Sequence, residues 1–316
     1  MDLRQLRYFT AIYEHGTLSH AAQQARVAVS ALSHHLANLE TELSAPLFVR
    51  KPRGLQPTAA GERLYTHAKS ILKAMSAAER DIREAGGEIS GDVSVGMAYS
   101  AVKAIGVTLA RTILTQHPKL RLSLTESLSG STLLYLTNAE VDLALVYNPP
   151  ADPSLKVTPV LEERMVCVGA REIIGDTDDP ITFTEILDLP IILLRQSLSA
   201  RAIVDDASLL RRLESRAILQ MNSVHAIGGS LIAGLGCVIG TKLFMHEHLQ
   251  SGALHMRPIV EPEMSRTLYL CEIAGRPATF ARETIRALIL RLIDEAVHSG
   301  SWDARSLVPV KEAGSR

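Results

Sequence analysis

Residues 17–43, TLSHAAQQARVAVSALSHHLANLETEL, read as two short helices joined by a tight connection. The first is expected over 18–25, where small Ala21 and Ala22 let another helix approach closely. The second is expected over 30–43, with Leu32, Leu36, Leu39 and Leu43 on one stripe at spacings of three and four. Arg26, Val27 and Ala28 fill the connection, with Val27 expected between the helices. Ahead of them residues 2–15 form a third amphipathic helix, with Leu3, Leu6, Phe9 and Ile12 on one side and Gly16 ending it. Three short helices around a leucine core, the last with a polar face left over, make a helix-turn-helix. That face (Ser30, Ser33, His34, Asn38) suits a DNA major groove.

Such helix pairs also occur in proteins that never touch DNA, so the flanking residues decide. Residues 44–64, SAPLFVRKPRGLQPTAAGERL, crowd Arg50, Lys51 and Arg53 into a segment broken by Pro52, Gly54 and Pro57. Helix breakers there imply a tight basic loop or ribbon beside the last helix, a wing. Its guanidinium groups suit phosphates or the narrow minor groove.

The first sixty or so residues resemble the winged helix-turn-helix of LysR-type transcriptional regulators. The match rests on Leu6, Phe9, Gly16, Ala21, Ala22, Leu32, Ser33, Leu39, Glu40 and Leu43, then Pro46, Leu47, Phe48, Arg50, Gly54, Thr58 and Gly61. Within that family the chain is most similar to the nitrogen assimilation control group. The resemblance implies a long linker helix, then a two-lobed α/β effector domain like that of periplasmic binding proteins. It also implies DNA contacts at Val29, Ser30, Ser33, His34, Arg50, Arg53 and Thr58. The chain departs from the pattern with Ala28, Val29 and Ser30 where Ser-Gln-Pro is common, and with His34 where Arg or Gln is. Ala28 removes the usual cap, Ser30 is positioned to cap a helix starting two residues later, and Val29 suits a thymine methyl. Ser44 replaces a glycine.

The chain has 316 residues, 47% hydrophobic, with a net charge of -1. That length allows two or three domains. Residues 1–69 hold eight Lys/Arg against five Asp/Glu, and residues 91–316 hold 22 against 25. A modestly basic head on a slightly acidic body suits DNA contact at one end, and so small a surplus calls for two or more copies. There is neither a secretory signal nor an apolar run long enough to span a membrane, so a cytoplasmic location is expected. Cys167, Cys237 and Cys271 are far apart in apolar stretches, as buried free thiols are.

Residues 58–86 read as one long helix behind an N-cap at Thr58, with Leu64, Ile71, Leu72, Met75, Ala78 and Ile82 at near-heptad spacing. Pairing of that stripe with a second copy makes it the dimerisation element, and packing onto its own domain is the alternative. Gly86, Gly87, Ser90 and Gly91 form a linker. Strands and helices then alternate: DVSVGMA, a helix over 102–116, LRLSLTES, a helix over 132–139, VDLALVY. This pattern indicates a doubly wound parallel sheet. A second lobe is expected over 162–265, with MVCVGA, PIILL, a helix over 199–213, AILQMN, a helix over 224–235 and CVIGT. The chain then returns to the first lobe (91–161 and 266–300) through RTLYLCEI and a helix over 279–298. The stretch 301–316 reads as a polar tail, anchored at its start by Trp302.

Ligands of such sheets bind at the carboxyl ends of strands, beside helix N-termini. Those ends carry Ser100, Ser129, Ser131, Thr132 and Tyr147 in one lobe, and Arg195, Ser197 and Asn222 in the other. Either each hydroxyl caps only its own helix, or the group converges on one cleft for a small carboxylate or aromatic acid. No G-x-S-x-G elbow, Walker A loop or G-x-G-x-x-G run is present. His34 and His35 point to different sides of a helix, and His246 with His248 would chelate only from an extended segment. Neither catalysis nor a metal or cofactor is expected. The expected partners are double-stranded promoter DNA, a small effector, a second copy through the linker helix, a homotetramer, and RNA polymerase. Two alternatives stand beside an effector-controlled regulator: an effector-independent LysR-type regulator of nitrogen or carbon metabolism, and a ligand-binding protein with a vestigial head.

Overall fold

The computed structural model describes residues 1–52, 54–84, 89–194 and 206–308. Two compact units divide at residue 87. The first holds α1 (Leu3–His15), α2 (Leu18–Ala25), α3 (Val29–Leu43), a ribbon of β1 (Phe48–Lys51) and β2 (Gly54–Pro57), and α4 (Ala59–Glu84). A capping box at Asp2 starts α1, and Gly16 ends it in the left-handed region. Leu6, Phe9, Ile12, Ala21, Ala22, Leu32 and Leu39 form the core with Leu47, Phe48 and Ala68. Val27 packs against that core.

Two expectations about α3 and α4 change. Helix α3 begins at Val29 behind Ala28, so Ser30 lies inside the helix and caps nothing; no side chain caps this terminus. The stripe of α4 also divides. Ala68, Leu64 and Leu72 pack on the head's own core, and Tyr65 stacks on Tyr13 at 3.8 Å. Ile71 and Ile82 stay exposed, at 40% and 80%.

The second unit opens with β3 (Gly91–Ala98), α5 (Tyr99–Ala101), a π-helical turn (Val102–Gly106) and α6 (Val107–Gln116). Next come β4 (Leu120–Ser127), α7 (Ser129–Thr137), β5 (Leu143–Tyr147) and β6 (Leu155–Arg164). Strand β7 (Val166–Gly169) begins the second lobe, followed by α8 (Arg171–Ile174), β8 (Ile181–Thr182), α9 (Phe183–Leu187) and β9 (Ile191–Leu194). Then α10 (Ala207–Arg216), β10 (Ala217–Met221), α11 (Val224–Ile232), β11 (Cys237–Gly240), α12 (His246–Gln250) and β12 (His255–Val260) complete it. The chain returns through β13 (Ser265–Ile273), α13 (Phe280–His298) and β14 (Arg305–Ser306).

Each lobe is built on a six-stranded sheet, ordered β14-β6-β13-β5-β3-β4 and β10-β9-β11-β7-β12-β8. The parallel sheet expected is therefore mixed. Strands β4, β3 and β5 run parallel, while β13 pairs antiparallel with β5 and β6. Strand β6 stays in the first sheet to Arg164, and β13 rejoins it at Ser265. In the terminal stretch, Trp302 is buried in the first lobe's core and β14 edges its sheet. The backbone packs closely at Gly236, where a Cβ would meet the Pro190 carbonyl oxygen at 2.3 Å.

All three cysteines are buried and free. Pairing of β7 with β11 brings Cys167 and Cys237 together, so the Cys167 thiol is pushed up by its hydrogen bond with Cys237 and by burial. Burial pushes Cys271 up to about 12. Such thiols are inert at neutral pH.

A buried ion pair sits where the chain passes between lobes. Arg266 at the start of β13 donates to Glu163 near the end of β6, at 2.8 Å. Its guanidinium lies 3.6 Å from the Tyr147 ring centre and donates to Ser100 at 3.0 Å and to Thr241 at 3.5 Å. Trp302 donates its indole N–H to the same glutamate. Removing one member of such a pair strands the other charge. Glu163→Leu is therefore expected to cost about 3–5 kcal/mol in urea unfolding. The double variant Glu163→Leu/Arg266→Met should recover most of that loss.

Candidate nucleic-acid interface and effector cleft

The outer face of α3 presents Val29, Ser30, Ala31, His34 and Asn38 to solvent, with Ser33 half-buried beside them. Helical spacing joins His34 Nε2 to Asn38 Nδ2 at 3.1 Å, which fixes the direction of the imidazole. His35 turns the other way, edge-on to Tyr8 with ring centres 5.0 Å apart. The two adjacent histidines thus divide into an outward residue and a packing residue.

The wing is anchored from α3 itself. Glu40 Oε1 accepts from the amides of Leu47 at 2.7 Å and Phe48 at 3.3 Å. Leu55 N–H donates to Gly16 O at 2.7 Å, and a Cβ at Gly54 would stand 2.4 Å from that same oxygen. Only glycine fits so close to a backbone, and φ is +127° there. Arg50 and Lys51 are exposed on β1. Arg53 lies outside the described residues. Thr58 is committed to structure: its hydroxyl donates to Pro46 O at 2.7 Å and accepts from Gly61 N–H at 3.0 Å.

Between the lobes of the second unit is a cavity of about 670 Å³. Tyr99 and Glu126–Leu128 line it from the first lobe, with Asn222–His225, Ile232, Phe244, Glu247 and His248 from the second. Tyr99 and Phe244 meet edge-to-face across it, ring centres 6.0 Å apart. The π-helical turn carries Lys103, whose ammonium lies 3.0 Å from Glu247. That ion pair holds the Glu247 carboxyl below its ordinary range.

Most of the strand-end residues expected at the ligand are spent internally. Ser100 accepts from Arg266, Ser129 Oγ accepts from Tyr147 N–H at 3.1 Å, and Thr132 Oγ1 lies 2.6 Å from Ser127 Oγ. Tyr147 is buried, and burial pushes its phenol well up, so it is neutral. Ser131 is half-buried and does not line the cavity, whereas Asn222 does. Arg195 and Ser197 fall outside the described residues.

Residues 3–62 match the family described as "Bacterial regulatory helix-turn-helix protein, lysR family", and residues 86–294 match "LysR substrate binding domain". The chain belongs to the LysR family. It is 30% identical to the nitrogen assimilation regulatory protein nac of Klebsiella aerogenes over 295 residues, 93% of this chain and 95% of that one. The Escherichia coli K12 protein of the same name is 29% identical, over 94% of this chain and 97% of its own. Full-length OxyR from Pseudomonas aeruginosa shares the fold, with a TM-score of 0.70 at 19% identity over 93% and 94% of the two chains. This LysR-type protein is thus a DNA-binding transcriptional regulator with a substrate-binding domain, and not an enzyme. Among the described residues no helix is long and apolar enough to cross a membrane, and no cluster of three metal-ligating side chains occurs.

Sequence reading missed Glu126, Phe244 and Glu247. Glu126 was within reach, one residue before Ser127 at the end of LRLSLTES. Phe244 and Glu247 follow a strand in a stretch with no periodic signal. For the head of this regulator, Glu40→Ala removes two charge-assisted bonds to the wing. It should lower stability by about 1.5–3 kcal/mol in thermal unfolding of the full chain.

Proposed function

We propose that this regulator reads promoter DNA with α3 in the major groove and the wing on the backbone. The supporting observation is the exposed polar face of α3 beside exposed Arg50 and Lys51. Val29, Ser30, Ser33 and His34 then face bases or phosphates, and Arg50 and Arg53 face the backbone or minor groove. The uncapped first turn of α3 leaves amides that suit a phosphate oxygen. Thr58 supports the wing in this reading, by way of its bond to Pro46.

The second unit binds a small effector in the cavity between its lobes and acts in the cytoplasm. Effector binding biases the lobe arrangement, which alters subunit packing and so the spacing of the DNA-binding heads. RNA polymerase is the partner through which promoter occupancy becomes transcription. Two copies pair through α4, where Ile82 is exposed, and two dimers make a tetramer. A second apolar surface suits that assembly: Val107 and Leu114, two helical turns apart on α6, are 73% and 75% exposed.

Mobility-shift titration with the DNA upstream of its own gene tests this reading. Arg50→Ala should weaken binding to every duplex and reduce the salt slope by about 1 per head. His34→Ala should instead relax preference at one base position, by about 1–3 kcal/mol. Equal loss on all sequences for His34→Ala would put His34 on a phosphate, and unchanged affinity and preference on every duplex would remove α3 from the groove.

Assembly is tested by sedimentation. Ile82→Asp should raise the dimer dissociation constant by more than about 100-fold, since burying each isoleucine contributes about 1.5–3 kcal/mol and a symmetric interface carries two. Leu114→Asp should arrest the protein at the dimer. A tetramer surviving both changes would refute these surfaces.

A further inference from the structure

The effector class follows from what lines the cavity, an inference that rests on the cleft reading above. An anionic or polar ligand is expected from helix-start amides and Arg195, which lies outside the described residues, with the strand-end hydroxyls beside them. Those hydroxyls have other work: Ser100 accepts from Arg266, Ser129 from the Tyr147 amide, and Thr132 bonds to Ser127. Arg266 is buried and already neutralised by Glu163. Among the described lining residues none is a lysine or arginine, while Glu126 and Glu247 are carboxylates.

The two carboxylates differ in one respect. Glu247 already holds a cation, the Lys103 ammonium, at 3.0 Å. That ammonium also lies 5.9 Å from the Tyr99 ring centre, so the protein itself shows a primary amine seated between an acid and an aromatic ring. Glu126 faces the same cavity with no ion-pair partner among the described residues. Tyr99, Phe244 and Ile232 provide apolar surface beside it. An organic acid in this space would meet the Glu126 carboxylate with no free lysine or arginine among the described lining residues to offset it, since the Lys103 ammonium is held by Glu247. An amine would meet a carboxylate and an aromatic face, both of which attract it. The volume of about 670 Å³ lies within the range of small-ligand sites.

We propose that the cleft takes a small organic cation, a primary amine whose ammonium pairs with Glu126 and whose carbon skeleton lies against Tyr99 and Phe244. The site thereby discriminates by charge before shape. Lys103 holds Glu247 out of that role, which leaves a single carboxylate for the ligand.

Calorimetric titration of the full-length protein with matched probes tests this. Phenethylamine is compared with 3-phenylpropionate, and putrescine with succinate, so that the skeleton is kept and the charge inverted. At least one amine should bind, at least tenfold more tightly than its acid. Glu126→Gln should weaken that binding tenfold or more and Glu126→Asp less, with an unchanged melting temperature because the side chain is exposed and unpaired. Tyr99→Leu should also weaken it while sparing the carboxylate. Tighter binding of the acids, amine binding indifferent to Glu126→Gln, or no heat from any probe would each overturn the assignment. An acid whose binding is lost on Phe244→Ala would overturn the charge assignment and leave the cleft as the effector site. Loss of the promoter mobility shift would count against the regulator reading instead.

Discussion

A guanidinium removed from water has to be surrounded by partners, and that requirement organises the effector domain. Arg266 meets it with groups from several parts of the chain. Glu163 comes from the strand that leaves the first lobe, Ser100 from the turn after β3, and Thr241 from the second lobe. Tyr147 supplies an aromatic face. Because isolated buried charge is so unfavourable, those groups are held in one arrangement. The same bonds occupy the strand ends that ligands of open sheets commonly use. What remains for a ligand is the space beyond them, bounded by Tyr99, Glu126 and Phe244.

The head solves a different problem. Ten buried apolar side chains hold three short helices and a ribbon together, and polar bonds set their details. Glu40 is pivotal because it sits on α3 yet bonds to the amides that begin the wing. The reading helix and the basic ribbon are thereby fixed to each other by one side chain. Gly54 closes the arrangement from the other side, against the turn after α1. Two elements that the proposed reading places on one duplex are thus positioned as one piece.

Much of this was legible in the residues. Helix α2 and strand β4 run where the spacing and turn residues put them, because both are short amphipathic segments with clear stops. The start of α3 was misplaced: with Ala28 there is no capping side chain to mark it, and local reading chose Ser30. Trp302 anchors the start of the terminal stretch as expected, but its partners, the first lobe's core and a glutamate 139 residues earlier, could not be read from its neighbours. The cleft was the hardest to read. Ser100 looks like a ligand-binding hydroxyl until Arg266, 166 residues away, arrives beside it. A hydroxyl's partner is a property of the fold and leaves no periodic trace in the sequence.

The bare first turn of α3 has a consequence for how such a helix is completed. Most helices carry their own terminal acceptor, but Ala28 offers none, so unmet amides face outward. In the proposed reading of DNA, an oxygen of the nucleic acid backbone would supply the acceptor from outside the chain. On that reading the duplex would finish the protein's secondary structure, completing the helix whose own sequence leaves its first turn bare.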